Sequence, residues 1–186
     1  TSFYITMNAT NSYAIETSGL NYMFRYGRKV VNEVSLRVPD QSIFGFLGPN
    51  GAGKTTTIRL LTGMLENEPD NIFIRGKSLK KNIPGIFESI GTLIETPSLY
   101  LHLSGRDNLR VITRLRNMNE NRVEEVLKIV GLHHDAKRKV KEYSLGMKQR
   151  LGVAMALLPD PSLLILDEPA NGLDPAGIIE VREMLI

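Results

Sequence analysis

The chain reads as an α/β protein with a parallel sheet core, an antiparallel β part at its N-terminal end and a helical insert. Three observations predict this. The glycine-rich loop Gly48-Pro49-Asn50-Gly51-Ala52-Gly53-Lys54-Thr55-Thr56 follows an apolar run of strand length, Ile43 to Leu47, and opens a segment of helical period. A second apolar run, Leu163-Leu164-Ile165-Leu166, ends in Asp167-Glu168-Pro169 and has the look of a strand buried on both faces. Between them, residues from about 99 to 143 repeat their apolar positions at helical spacing.

Taken in order, residues 1–18 form an N-terminal extension that is polar, shows no sustained period and receives no function. One domain follows over residues 19–186. Leu20 to Phe24 starts a strand, the residues from Tyr26 to Lys29 turn, and Val30 to Val38 alternates as a second strand until Pro39-Asp40 breaks it. Tyr26 sits just ahead of the glycine loop, where its ring could stack on a nucleotide base or stand as a plain surface tyrosine in a turn. The helix after the loop carries Ile58, Leu61 and Leu65 as its stripe. Ile72-Phe73-Ile74 and Ile90 to Ile94 are short strands, and the second leads to Glu95-Thr96-Pro97. Ser104-x-x-Asp107 ahead of Leu109, Ile112 and Leu115 caps a helix from near Gly105. A second amphipathic helix spans Asn119 to Val130, with Gly131 at its C-cap. A third runs from Gly146 to Leu158 until Pro159 and Pro161 stop it, and Ile178 opens a further apolar helix.

The chemistry starts at the glycine loop. It matches G-x-x-x-x-G-K-[ST], whose backbone N–H groups can wrap a polyphosphate, with Lys54 reaching the outer phosphates and the Thr55 hydroxyl placed for Mg²⁺. The glycines let the backbone turn with its amides inward, and the helix behind adds positive partial charge. Asp167, at the end of four aliphatics, is the expected acid for Mg²⁺, and Glu168 beside it is the natural general base for an attacking water. Composition excludes other classes. Lys and Arg number 23 against 20 Asp and Glu, too mild an excess to mark a nucleic-acid groove. The absence of cysteine removes disulfide frameworks and Cys-based metal sites and suits a reducing compartment. No apolar run approaches the roughly 18 residues of a membrane span, and the opening residues lack a signal-peptide pattern, so a cytosolic place is expected. His102, His133 and His134 show no metal-ligand spacing and are read as loop residues, and the basic cluster from Lys137 to Lys141 as a solvated face.

Between the two nucleotide motifs stands Tyr143-Ser144-Leu145-Gly146-Met147-Lys148-Gln149-Arg150, which resembles the signature sequence of ATP-binding cassette (ABC) proteins. Asn171-Gly172-Leu173-Asp174-Pro175 resembles the loop after their catalytic glutamate. This resemblance implies a P-loop NTPase fold that dimerises head to tail, each ATP held between one subunit's phosphate loop and the other's signature. It implies that Gly48, Asn50, Gly51, Ala52, Gly53, Lys54, Thr55 and Thr56 bind ATP, that Ser144 and Gly146 face the γ-phosphate held by the opposite subunit, and that Asp174 shapes the dimer contact. It also gives Tyr26 its base-stacking role. The implied work is ATP hydrolysis that powers a separate membrane permease at the cytoplasmic face, with no direct nucleic acid partner. The permease would dock near Glu95 to Gly105, where Pro97, Leu99, Tyr100, Leu101 and Leu103 are unusually apolar for a loop.

Two departures refine the resemblance. The usual signature has glycine and glutamine where Leu145 and Met147 stand, and the usual metal-side glutamine is replaced by Glu95, whose carboxylate would bind Mg²⁺ more strongly. Both are similar to the subgroup that serves bacitracin-type and lantibiotic resistance exporters. The family's switch histidine is expected beyond Ile186, so the chain is expected to bind ATP better than it turns it over. Two rival readings are a soluble cassette ATPase of the translation-factor or DNA-repair kind and a regulatory ATP-binding module without turnover. The first calls for a second cassette or a long coiled coil, and the intact Glu168 argues against the second.

Overall fold

Strand pairing begins earlier than the sequence pattern implies. The computed structural model describes residues 12–24, 27–66 and 69–185, which divide into two units at Phe87 and Glu88. In the first unit Tyr13–Thr17 (β1) lies inside a four-stranded antiparallel sheet, between Arg37–Pro39 (β4) and Ile72–Ile74 (β5), and β5 turns through Arg75-Gly76 into Lys77–Ser78 (β6). The end of the expected featureless extension is therefore an inner strand. Its period is concealed by a register shift between Tyr13 and Ile15, which buries Ala14 and Ile15 in succession.

The strand expected over Val30 to Val38 is two. Lys29–Val34 (β3) pairs with Leu20–Met23 (β2) in a separate ribbon, whereas β4 joins β1. The break is set where Leu36 N–H donates to the Thr17 hydroxyl at 2.9 Å and Thr17 N–H donates back to Leu36 O at 2.9 Å. The helix after the glycine loop is Lys54–Leu61 (α1), burying Ile58, Leu60 and Leu61. It stops before Leu65, because the Thr62 hydroxyl turns back to Ile58 O at 2.9 Å and Gly63 takes φ 64°. A helix the sequence pattern hides, Leu79–Ser89 (α2), carries Pro84 and a kink at Asn82, and buries only Leu79 and Ile86.

Ile43 to Leu47 corrects the expectation of a strand. The segment joins no ladder, and Ile43 and Leu47 are 76% and 87% exposed. An apolar run signals a tendency to be buried, whereas a strand exists only where a neighbour supplies hydrogen bonds.

The second unit is built on Ile90–Leu93 (β7) and Leu163–Leu166 (β8), paired parallel so that Leu93 faces Leu166. Ile165 is buried and the three leucines of β8 are half-buried, short of the two-sided burial expected. The helix Leu145–Leu157 (α5) packs on β7 closely enough that a Cβ on Gly91 would strike Ala156 O, and one on Gly152 would lie 2.9 Å from Pro97. Gly105–Leu115 (α3) and Asn121–Ile129 (α4) form the helical insert, and a 3₁₀ turn over Val140–Glu142 leads to α5. Leu109, Val126, Leu127 and Val140 share one core with Leu151 and Val153 of α5 and with Leu158 just past its end, so the insert and α5 are packed as a single body. Ser104 caps α3 as its spacing predicts, accepting from Asp107 N–H at 3.1 Å, and Gly131 follows α4 with φ 65°. Pro175–Leu185 (α6) ends the described chain.

Candidate nucleotide site

The glycine loop and α1 are one device. Gly53 is the N-cap residue at φ 88°, and Gly51 has φ 80°, both in the left-handed region that a side chain disfavours. Around Gly51 nothing lies within 4 Å of where a Cβ would sit, whereas at Gly53 that position is 2.5 Å from Val30 O. One glycine leaves the loop open to a ligand; the other lets it lie against β3. Among the described residues, the amides of Gly53, Thr55 and Thr56 have no acceptor, because these are among the orphan donors that open a helix, and the Gly51 amide in the loop before it has none either. The Lys54 ammonium folds over the loop, donating to Gly48 O at 3.0 Å and Pro49 O at 3.2 Å. Ala52 N–H closes the turn onto Pro49 O at 3.2 Å, which holds Asn50 at its tip. Convergent donors, one cation and no carboxylate within the loop fit a polyphosphate.

The acidic pair stands at the carboxyl end of β8. Asp167 N–H donates to Leu93 O at 2.8 Å, carrying the β7 contact one residue past the ladder, and its side chain is 7% exposed. Glu168 follows with an exposed side chain and φ 47°. Asn171 donates from its side-chain amide to Glu168 Oε2 at 3.0 Å and from its backbone to Glu168 O at 2.9 Å. Glu95, two residues past the end of β7, also has φ 64° and an exposed side chain. Carboxylates are hard oxygen donors of the kind Mg²⁺ takes.

The signature segment supplies a second helix N-terminus. Ser144 is the N-cap of α5, its hydroxyl accepting from Met147 N–H at 3.2 Å, and it is exposed. Leu145 Cδ2 lies 3.1 Å from the place of a Cβ on Gly172, and Leu173 Cδ2 lies 3.6 Å from that on Gly146, so the signature packs on the loop after Glu168. Asp174 turns inward along its own chain as the cap of α6, accepting from Gly177 N–H at 3.0 Å. Tyr143, just before the signature, is 4% exposed and donates to Asp135 O at 2.8 Å; burial pushes its phenol above the usual value. The expected base-stacking residue, Tyr26, lies outside the described residues.

Sequence reading passed over Asn108 and Asn171. Asn108 is fully buried and clamps the apolar loop ahead of α3, accepting from Tyr100 N–H at 2.8 Å and donating to Tyr100 O at 3.1 Å and Ser104 O at 2.9 Å. This clamp holds Tyr100 and Leu101 half-exposed at the surface, each at 51%. A polar residue on the buried stripe of an amphipathic helix was the available signal. The rings of His133 and His134 lie tilted against each other at 3.7 Å in an exposed loop, and no group of three or more His, Cys, Asp or Glu side chains that could hold a metal ion occurs among the described residues.

Comparison with known proteins bears on the family. A family model described as ABC transporter matches residues 31–171. The bacitracin transport ATP-binding protein BcrA of Bacillus licheniformis is 46% identical over 175 residues, covering 94% of this chain and 57% of that protein. The ABC transporter ATP-binding protein YhcH of Bacillus subtilis is 47% identical over 160 residues, 86% of this chain and 52% of its own length. The lantibiotic transport ATP-binding protein SrtF of Streptococcus pyogenes is 43% identical over 161 residues, 86% of this chain and 69% of its own. The chain thus spans about half the length of BcrA and YhcH. Among solved structures, cbiO1 of Clostridium perfringens, part of the ABC transporter complex cbiONQ, superposes with a TM-score of 0.84 at 28% identity, covering 94% of this chain and 72% of that one. The fold is the P-loop NTPase fold of ABC ATPases, with its antiparallel N-terminal sheet and helical subdomain. With the phosphate loop, signature and acidic strand end all inside or bordering the matched stretch, the chain belongs to the ABC transporter family and is homologous to bacitracin and lantibiotic transport ATP-binding proteins.

Proposed function

We propose that the chain binds MgATP and hydrolyses it as the ATP-binding subunit of an ABC transporter, working as a head-to-tail pair to power a separate membrane permease. The observation that carries this reading is the glycine loop, where among the described residues the amides of Gly51, Gly53, Thr55 and Thr56 have no acceptor and the Lys54 ammonium donates to the loop carbonyls of Gly48 and Pro49. Loop amides and Lys54 hold the phosphates; Thr55, Asp167 and Glu95 address the metal; Glu168 takes the proton of the attacking water. Bound Mg²⁺ neutralises phosphate charge and orients the γ-phosphoryl group. Ser144 and Gly146 present the positive end of α5 to the nucleotide of the opposite subunit. Among the described residues no helix is long and apolar enough to cross a membrane. The permease seats on the Tyr100–Leu101 surface, and the chain works at the cytoplasmic face of the membrane.

The likeness to BcrA and SrtF, with Leu145, Met147 and Glu95 at the departing positions, supports export of peptide antibiotics or similar compounds. The test is Glu168→Gln in the purified protein. Turnover falls to background while binding of a fluorescent ATP analogue persists; unchanged turnover overturns the assignment.

A further inference from the structure

Glu168 holds an unfavourable backbone. Its φ of 47° is in the left-handed region, which a residue with a side chain disfavours, and its side chain is exposed. Two bonds from a single residue act on both the backbone and the carboxylate. The backbone N–H of Asn171 closes a turn onto Glu168 O at 2.9 Å, and the Asn171 side-chain amide donates to Glu168 Oε2 at 3.0 Å. Asn171 is itself exposed, so burial gives no reason for an amide there. A carboxamide supplies the donor this contact needs. Aspartate of the same shape has only acceptors and a like charge, and alanine reaches nothing.

We infer that Asn171 is a positioning residue for the reaction, fixing the plane of the Glu168 carboxylate so that it meets water in one orientation. The inference rests on the reading of Glu168 as the group that activates water. Misplacing a reacting group by about 1 Å can cost a hundredfold in rate, so loss of the side-chain bond should appear in kcat and leave nucleotide affinity alone.

The experiment compares wild type, N171A, N171D, E168Q and the double variant E168Q/N171A as purified proteins, measuring ATP turnover against ATP concentration and binding of a fluorescent ATP analogue. N171A should lower kcat about ten- to a hundredfold with KM and analogue affinity within about twofold. N171D, equal in size, should lose at least as much and stands in if the alanine variant does not fold. In the E168Q background, where turnover is already at background, N171A should leave analogue affinity within about twofold, because Asn171 acts on the chemistry through that carboxylate and not on nucleotide binding. Wild-type kcat in both Asn171 variants overturns the inference while leaving the function in place. The same holds for a rise in KM at constant kcat, or for a loss of analogue affinity on adding N171A to E168Q. Turnover that survives in E168Q, or its absence from the wild type, instead overturns the reading of Glu168 and this inference with it.

Discussion

The two left-handed glycines of the phosphate loop make different demands, and alanine at each separates them. At Gly51 an added Cβ meets nothing within 4 Å, so Gly51→Ala carries only the conformational cost of φ 80°, about 1–2 kcal/mol. At Gly53 the same cost applies at φ 88°, and the Cβ would also sit 2.5 Å from Val30 O, a backbone atom of β3. Ordinary contact requires a retreat of about 1 Å, and such overpacking costs about 1–3 kcal/mol more. Gly53→Ala should therefore destabilise by about 2–5 kcal/mol in total. At roughly 2–4 °C per kcal/mol for a chain of this size, that is a Tm fall of about 4–20 °C, against about 2–8 °C for Gly51→Ala. Thermal unfolding of the two variants beside the wild type measures the difference, and a fluorescent ATP analogue reports the loop itself. If Gly53→Ala unfolds no earlier than Gly51→Ala, the close packing of the loop on β3 is not what requires that glycine.

Asn108→Ala leaves Tyr100 N–H and two carbonyls without their buried partner and should cost about 2–4 kcal/mol, read as an earlier thermal transition and faster amide exchange at Tyr100. Asp70 accepts from the Ser78 hydroxyl at 2.6 Å and pairs with Lys81 at 3.1 Å, which holds its carboxyl below the usual 3.8, the Ser78 bond contributing most. Because the folded value is the lower one, this contribution is present above pH 3.8 and is lost as pH falls through the folded value. Ser78→Ala should return the Asp70 titration, followed by carboxyl NMR, toward 3.8, and an unmoved midpoint would refute that cause. Glu95→Ala should change the ATPase rate or its response to the permease, and a variant unaffected in both would remove Glu95 from the mechanism.

Much of the site was legible because it depends on local backbone chemistry. The spacing of Gly48, Gly53 and Lys54 and the Ser104–Asp107 cap are each written within a few residues, and the structure forms the turn, the helix start and the cap where they indicate. What the pattern concealed depends on distant partners. The register shift that buries Ala14 and Ile15 belongs to the pairing of β1 with β4, and no window around Tyr13 contains it. The apolar run from Ile43 to Leu47 shows the opposite failure, a local signal with no ladder to complete it. Asn171 was visible only as part of a family loop, and its bond to Glu168 emerges because the left-handed turn brings residues three apart face to face.

That turn has a twin. β7 and β8 end side by side at Leu93 and Leu166, and two residues beyond each end stands a glutamate in left-handed backbone, Glu95 and Glu168. Both positions would be more comfortable as glycine, by up to about 1 kcal/mol each after the added chain entropy is counted. Selection for thermal robustness alone would therefore erode the two acids, and selection for turnover would restore them. A glycine variant at either place should melt later than the parent while working less well, which makes this sheet edge a place where durability and chemistry pull on the same residues in opposite directions.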